Sequence, residues 1–265
     1  MSFSPDTMPD EFIERMRQAR HVVVLSGAGI SAESGVPTFR DAQTGLWAKY
    51  DPQELATPEA FRRNPQLVWD WYAWRRELVA GVAPNPGHLA LARMERLVPR
   101  LTVITQNIDS LHQLAGSTRV IELHGNLSRT KCLDEDRLVE RWPATDERPP
   151  RCPQCGGYLR PDVVWFGEAL PPMALHRAIE ASRAADVFLT VGTSGIVYPA
   201  ASLPMETIEA GGLVVEINPE DTPLTPWMAH TFRGPSGVVL PAILSAVWPG
   251  SDRRRSISPD NVKKT

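Results

Sequence analysis

Residues Ser26 to Arg40 read Ser-Gly-Ala-Gly-Ile-Ser-Ala-Glu-Ser-Gly-Val-Pro-Thr-Phe-Arg, directly behind the apolar run Val22–Leu25. A buried strand that ends in a glycine turn lets the backbone approach a pyrophosphate, and the N–H groups that follow can hold the phosphate charge. This is the signature of a dinucleotide site, and Arg40 can add a positive charge beside it. A hydride-transferring dehydrogenase would run on through a helix into a second strand ending in Asp or Glu, roughly 20 residues along. Here Val36-Pro37-Thr38 follows, and Pro37 breaks a helix too early for that arrangement. A second reactive set is sulfur: Cys132, with Cys152 and Cys155 spaced as Cys-x-x-Cys. Three cysteines cannot all pair with one another, so this spacing points to metal or redox use rather than a disulfide scaffold. A third is Tyr72 and Arg75, three apart in a segment of helical composition and therefore on one helix face. A guanidinium fork beside a phenol hydroxyl can grip a carboxylate.

The elements that must position these groups follow from short apolar runs: Val22–Leu25, Leu101–Thr105, Val120–Leu123, Val187–Val191, Leu213–Ile217 and Val238–Leu240. Several are separated by segments of helical composition, which is the rhythm of a parallel α/β sheet. Ligands in such sheets bind beyond the carboxyl ends of the strands. Those ends are Ser26-Gly27-Ala28-Gly29, Gln106-Asn107-Ile108-Asp109, His124-Gly125-Asn126, Gly192-Thr193-Ser194 and Asn218-Pro219-Glu220. Turn chemistry explains some Gly, Asn and Ser, but not five such ends in succession. Two segments interrupt the alternation: residues 46–83, rich in Trp and Arg, and residues 127–160, which hold all three cysteines and many prolines. The expected fold is a Rossmann-like parallel-sheet lobe (about 15–45, 84–126 and 161–246) with a smaller inserted lobe, a helical segment plus a zinc-ribbon-like module. Residues 1–265 then form one catalytic domain, with a ligand cleft between the lobes and a flexible tail over 251–265.

A chain of 265 residues with 42% hydrophobic content is long enough for one sizeable core. Its formal charge of -3 gives no general electrostatic reason to bind nucleic acid. Residues 1–20 lack an apolar signal-peptide core, and no apolar run approaches membrane-spanning length. A cytoplasmic location is the expectation.

Taken together, Gly-Ala-Gly-Ile-Ser-Ala-Glu-Ser-Gly-Val-Pro-Thr-Phe-Arg, Thr-Gln-Asn-Ile-Asp-Ser-Leu-His, Glu-Leu-His-Gly-Asn, Pro-Asp-Val-Val-Trp-Phe-Gly-Glu and Val-Gly-Thr-Ser, in that order from about Val22 to Pro241, resemble the sirtuin family of NAD-dependent protein-lysine deacylases. The resemblance implies that Gly27, Ala28, Gly29, Ala32, Phe39 and Arg40 surround the NAD phosphates and nicotinamide ribose. It places Gln106, Asn107, Ile108 and Asp109 at the nicotinamide end, and Gly192, Thr193, Ser194, Asn218 and Glu220 along the adenosine half. Ser236 falls where the family's last strand contacts adenine. His124 is implied as the general base, a task suited to an imidazole whose reference pKa lies near 6.5, with Asn107 and Asp109 beside it. Val163, Trp165, Phe166 and Gly167 would bind the substrate peptide as an added strand.

The implied reaction consumes NAD and yields free lysine, nicotinamide and O-acyl-ADP-ribose. Tyr72-x-x-Arg75 is the pattern of the branch that removes acidic acyl groups, so desuccinylation or demalonylation is expected beside deacetylation. The family's structural zinc uses two Cys-x-x-Cys pairs. Here the first reads Cys132-Leu133-Asp134-Glu135. Cys132, Cys152 and Cys155 are the expected ligands, with Glu135 or Asp134 completing the tetrahedron; weak or absent zinc is the alternative. An NAD glycohydrolase or ADP-ribosyltransferase on the same frame, and a non-enzymatic NAD or ADP-ribose sensor, are the competing readings.

Overall fold

The computed structural model describes residues 8–37 and 50–250. Phe39, Arg40 and the tail from 251 lie outside the described residues. The chain opens with α1 (Asp10–Gln18) and β1 (His21–Ser26), whose six residues are all buried. A short helix α2 (Ala28–Ala32) follows the glycine turn. Next come α3 (Pro52–Leu55), α4 (Pro58–Arg63), α5 (Pro65–Ala80) and α6 (Pro86–Met94). Each of these four begins with proline at its first position, where a missing N–H costs nothing. Each is also capped by the side chain before it: Asp51, Thr57, Asn64 and Asn85 accept from backbone N–H groups of the first turn. Cap-proline pairs therefore cut the expected helical segment into three helices.

Strands β2 (Arg100–Thr105), β3 (Val120–Glu122), β6 (Val187–Val191), β7 (Leu213–Ile217) and β8 (His230–Phe232) join β1 in one sheet of order β3-β2-β1-β6-β7-β8. Every neighbouring pair is parallel. That order reverses direction between β1 and β6, the topological switch point of a Rossmann-type sheet. Alternation along β1 divides its side chains between two cores. Val22 and Val24 face α1, α6 and α10 (Ser236–Val247); Val23 and Leu25 face α8 (Pro172–Arg183) and α9 (Leu203–Glu209).

The run Val238–Leu240, expected as the sixth strand, is helical and lies in α10. β-branched residues followed by Pro241 imitate a strand end, but burial of Val239, Leu240, Ile243, Leu244 and Val247 against the sheet outweighs local propensity. The sixth strand is His230–Phe232, too short and mixed to stand out in the sequence.

A second, antiparallel pair is β4 (Gly125–Cys132) with β5 (Leu159–Val163). It packs Leu127 and Val163, with Trp165 just after β5, against Phe61, Val68, Trp71 and Tyr72 from α4 and α5. No helix among the described residues is long and apolar enough to cross a membrane.

Candidate functional site

The carboxyl ends of β1, β2, β3, β6 and β7 converge on one cleft of about 830 Å³. Of the cofactor and catalytic candidates, Gly27, Ala28, Gly29, Ala32, Gln106, Asn107, Ile108, Asp109, His124, Gly192, Thr193, Ser194, Asn218, Glu220 and Ser236 all line it. So do Tyr72, Arg75, Val163, Trp165, Phe166 and Gly167. Residues far apart in sequence meet because parallel strands all end on the same side of the sheet.

The glycine turn is held from both sides. Gly27 N–H donates to Val191 O (3.0 Å) and Gly29 N–H to Gly192 O (2.8 Å). A Cβ on Gly29 would lie 2.7 Å from Gly192 O, and one on Gly192, where φ is +57°, would lie 2.5 Å from Ile30 N. These glycines thus let the loop after β1 touch the loop after β6, closing the switch point, besides leaving room for a ligand. Asn107 Nδ2 donates to Gly27 O (3.0 Å) and Ser31 Oγ (2.9 Å), and Gln106 Nε2 donates to Thr193 Oγ1 (2.9 Å). The end of β2 therefore braces both neighbouring loops.

His124 is deeply set, with Nδ1 2.8 Å from Gln106 O. A carbonyl only accepts, so Nδ1 carries the proton and Nε2 of the neutral ring keeps its lone pair. Burial lowers the imidazole pKa below its usual value, opposed in part by the Gln106 carbonyl. The neutral, proton-accepting form is thereby the resident one at pH 7. Asp109 is also buried, which raises its carboxyl pKa against hydrogen bonds from Ser31 and from Leu111 N–H (2.9 Å). Tyr72 and Arg75 share one face of α5 and are both buried. Burial pushes the Tyr72 phenol up and the Arg75 guanidinium down, while Tyr72 and Asp109 favour the charge on Arg75.

Ser236 begins helix α10 rather than sitting on a strand. Its hydroxyl donates to Glu33 Oε1 (2.5 Å), which also accepts from Gly237 N–H (3.0 Å). Along the expected peptide strand, N–H groups are already engaged: Val164 with His124 O (2.9 Å), Trp165 with Glu168 Oε2 (2.8 Å) and Phe166 with Ala56 O (2.8 Å). Sequence reading missed Ser31, which links Asn107 to Asp109, and the exposed Ile196, Val197 and Tyr198 on the cleft's rim. An apolar triplet directly after a strand-end glycine loop was the available signal for the rim.

Residues 27–199 match the Sir2 family model. The chain belongs to the Sir2 family. It is 58% identical over 206 residues to an NAD-dependent protein deacylase of Aquifex aeolicus (strain VF5), covering 77% of this chain and 86% of the relative. A solved Sir2 homolog–NAD complex superposes with a TM-score of 0.85 at 45% identity, covering 93% of this chain and 96% of that one. A Sir2 structure with deacetylated p53 peptide and 3′-O-acetyl ADP ribose gives 0.75 at 34% identity, covering 89% and 96%.

This Sir2 chain gathers its cysteines as expected. One ligand atom each from Cys132, Glu135, Cys152 and Cys155 lies within 4.8 Å of the others. Tetrahedral zinc with bonds of about 2.3 Å places its ligand atoms roughly 3.8 Å apart, so the cluster fits the ion after small adjustment. Cys132 and Cys155 Sγ are 3.3 Å apart. Backbone N–H groups of Cys155 and Gln154 lower the Cys152 thiol, favouring the thiolate that metal binding needs, while against the Gly157 N–H the neighbouring Cys132 sulfur raises the Cys155 thiol. The carboxylate in the group is Glu135; Asp134 instead lies against Gly157. Arg137 pairs with Glu135 at 3.0 Å.

Proposed function

We propose that the cleft takes NAD and an acylated lysine together, and that the protein removes acyl groups from protein lysines, with NAD consumed and nicotinamide and O-acyl-ADP-ribose released. The observation that carries this reading is His124: its Nδ1 is committed to the Gln106 carbonyl, so a neutral Nε2 is available inside a cleft shared with Asn107, Asp109 and the Gly27 turn. Mere nucleotide retention needs no base there. NAD supplies the labile bond between nicotinamide and its ribose. The chain supplies orientation, exclusion of water and a proton acceptor.

In this reading Gly27, Ala28, Gly29, Ala32, Gly192, Thr193, Ser194, Asn218 and Glu220 hold the dinucleotide, and Val163–Gly167 with the 196–198 rim hold the peptide. Tyr72 and Arg75 receive the distal end of the acyl chain, which extends the substrates to succinyl- and malonyl-lysine. The described part of the expected smaller lobe, residues 50–83 and 127–160, acts as that lobe, and zinc on Cys132, Cys152, Cys155 and Glu135 stabilises it without taking part in chemistry. Three free cysteines suit a reducing compartment such as the cytoplasm.

The test offers acetyl-, malonyl- and succinyl-lysine peptides with NAD and measures peptide mass and nicotinamide together. Equal amounts of deacylated peptide and nicotinamide are expected, with a loss of about 100-fold or more in His124→Ala. Nicotinamide released without any acyl peptide would indicate a glycohydrolase, and NAD binding with no product a sensor.

A further inference from the structure

A carboxylate in the middle of a buried parallel strand needs a reason. Glu216 is the fourth residue of β7, is only 2% exposed, and has apolar neighbours on both sides in its strand. Desolvating it is costly unless its oxygens are fully partnered. They are, and the partners come from the excursion between β7 and β8 and from Arg233, directly after β8. Thr222 Oγ1 donates to Oε1 (2.5 Å); Thr225 Oγ1 (2.6 Å) and Arg233 Nη1 (3.0 Å) donate to Oε2. The same hydroxyls also order the turn, since Thr222 Oγ1 accepts from Leu224 N–H (3.1 Å) and Thr225 Oγ1 from Thr222 N–H (2.8 Å). Arg233 reaches on to Asp221.

What this turn supports is the cleft wall. Asn218, Pro219 and Glu220 are the first residues of the excursion and line the cleft. Gly195, at φ +67°, packs so closely on the turn that a Cβ there would lie 2.9 Å from Leu224 Cγ. The Gly192–Tyr198 loop thus rests on residues that Glu216 fixes. In the sheet order, β7 lies four strand spacings from β3, whose end carries His124: about 19 Å at 4.8 Å per spacing. The wall held by Glu216 is therefore remote from the proposed base.

We infer that Glu216 is a positioning residue for the end of the dinucleotide farthest from His124, acting through Thr222, Thr225 and Arg233 on the 218–220 and 192–198 segments. This rests on the proposed NAD reading. It distinguishes binding from chemistry: removing Glu216 loosens the nucleotide's distal grip and leaves the reacting end intact.

The experiment measures ADP-ribose affinity by calorimetry, together with kcat and separate KM values for NAD and acyl peptide, for the native chain, Glu216→Ala, Glu216→Gln and Thr225→Val. Native binding of ADP-ribose is required by the NAD reading itself, and its absence would overturn that reading and this inference with it. Given native binding, Glu216→Ala should weaken ADP-ribose and raise the KM for NAD about tenfold, with kcat and peptide KM within about twofold. Glu216→Gln, which keeps an acceptor, should recover part of the affinity. Thr225→Val leaves the Arg233 pair in place and should still cost a few-fold if Glu216→Ala proves insoluble. Unchanged ADP-ribose affinity in the soluble variants, or equal losses in NAD and peptide parameters, would overturn the inference.

Discussion

At the scale of single residues, Tyr72 and Arg75 carry the sharpest expectation about substrate. Both line the cleft from one face of α5, so a phenol hydroxyl and a guanidinium border the same space. In the proposed reading an acyl chain ending in methyl would gain nothing from them, whereas one ending in carboxylate would gain a charge-assisted hydrogen bond of about 1.5–3 kcal/mol. Arg75→Met should therefore lower kcat/KM for succinyl-lysine peptide about 10- to 100-fold and leave acetyl-lysine turnover little changed or improved. Equal losses for both peptides in steady-state kinetics would contradict the carboxylate grip. The pair was legible because three-residue spacing fixes a shared helix face whatever the tertiary structure. Ser31 was not, because its role comes from Asn107 and Asp109, about 80 residues away and joined only in the fold. The choice between Asp134 and Glu135 was equally invisible, since it turns on where the backbone sets each carboxylate, Asp134 beside Gly157 and Glu135 beside the sulfurs.

Elements succeed or fail at their junctions, and two junctions here invite direct tests. Where the loop after β1 meets the loop after β6, backbone lies against backbone, with no flexible side chain to yield. Gly29→Ala would place a methyl 2.7 Å from Gly192 O and 2.8 Å from Gly192 Cα. Overpacking of this kind costs about 1–3 kcal/mol. A lower melting temperature and weaker ADP-ribose binding are expected, and native values for both would show that the junction is slack. In the β4–β5 module, the cysteine cluster predicts about one zinc per chain by elemental analysis of protein purified without added metal. Cys152→Ser should lose that zinc and melt earlier, while Glu135→Cys should resist chelator better because thiolate is the softer ligand. Native protein free of zinc would remove the site. The sequence foretold five of the sheet's strands because their mostly buried residues read as largely apolar runs, broken only by single polar residues such as Thr102 and Glu216. It misplaced the sixth because α10 packs apolar residues against the sheet and His230–Phe232 lies at its edge.

Across the whole molecule, the reversal of strand order between β1 and β6 creates the cleft, and what lies beneath that point sets how the fold answers to acid. Ser26 ends β1 and hydrogen-bonds His112 Nε2 at 2.8 Å; the His112 ring in α7 (Leu111–Leu114) meets that of His88 in α6, centroids 4.9 Å apart. Both imidazoles are buried, and desolvation brings their pKa down to about 4 for His88 and about 3 for His112. A folded pKa below the unfolded value of about 6.5 means that the unfolded chain binds protons which the native state refuses. Stability is accordingly full above pH 6.5 and falls as pH drops, by about 1.4 kcal/mol per unit for each ring, until the folded pKa is reached. Buried His21 and half-buried His124, also lowered, push in the same direction. Between pH 7 and 5.5, above the usual carboxylate range, His88 and His112 together should cost roughly 3 kcal/mol or less. Denaturant titrations at the two pH values would measure it. A His88→Asn/His112→Gln variant, even if less stable at pH 7, should show a flatter dependence, because side-chain amides do not titrate. The same slope in the variant and the native chain would mean that acid sensitivity originates elsewhere than under the Gly27 turn.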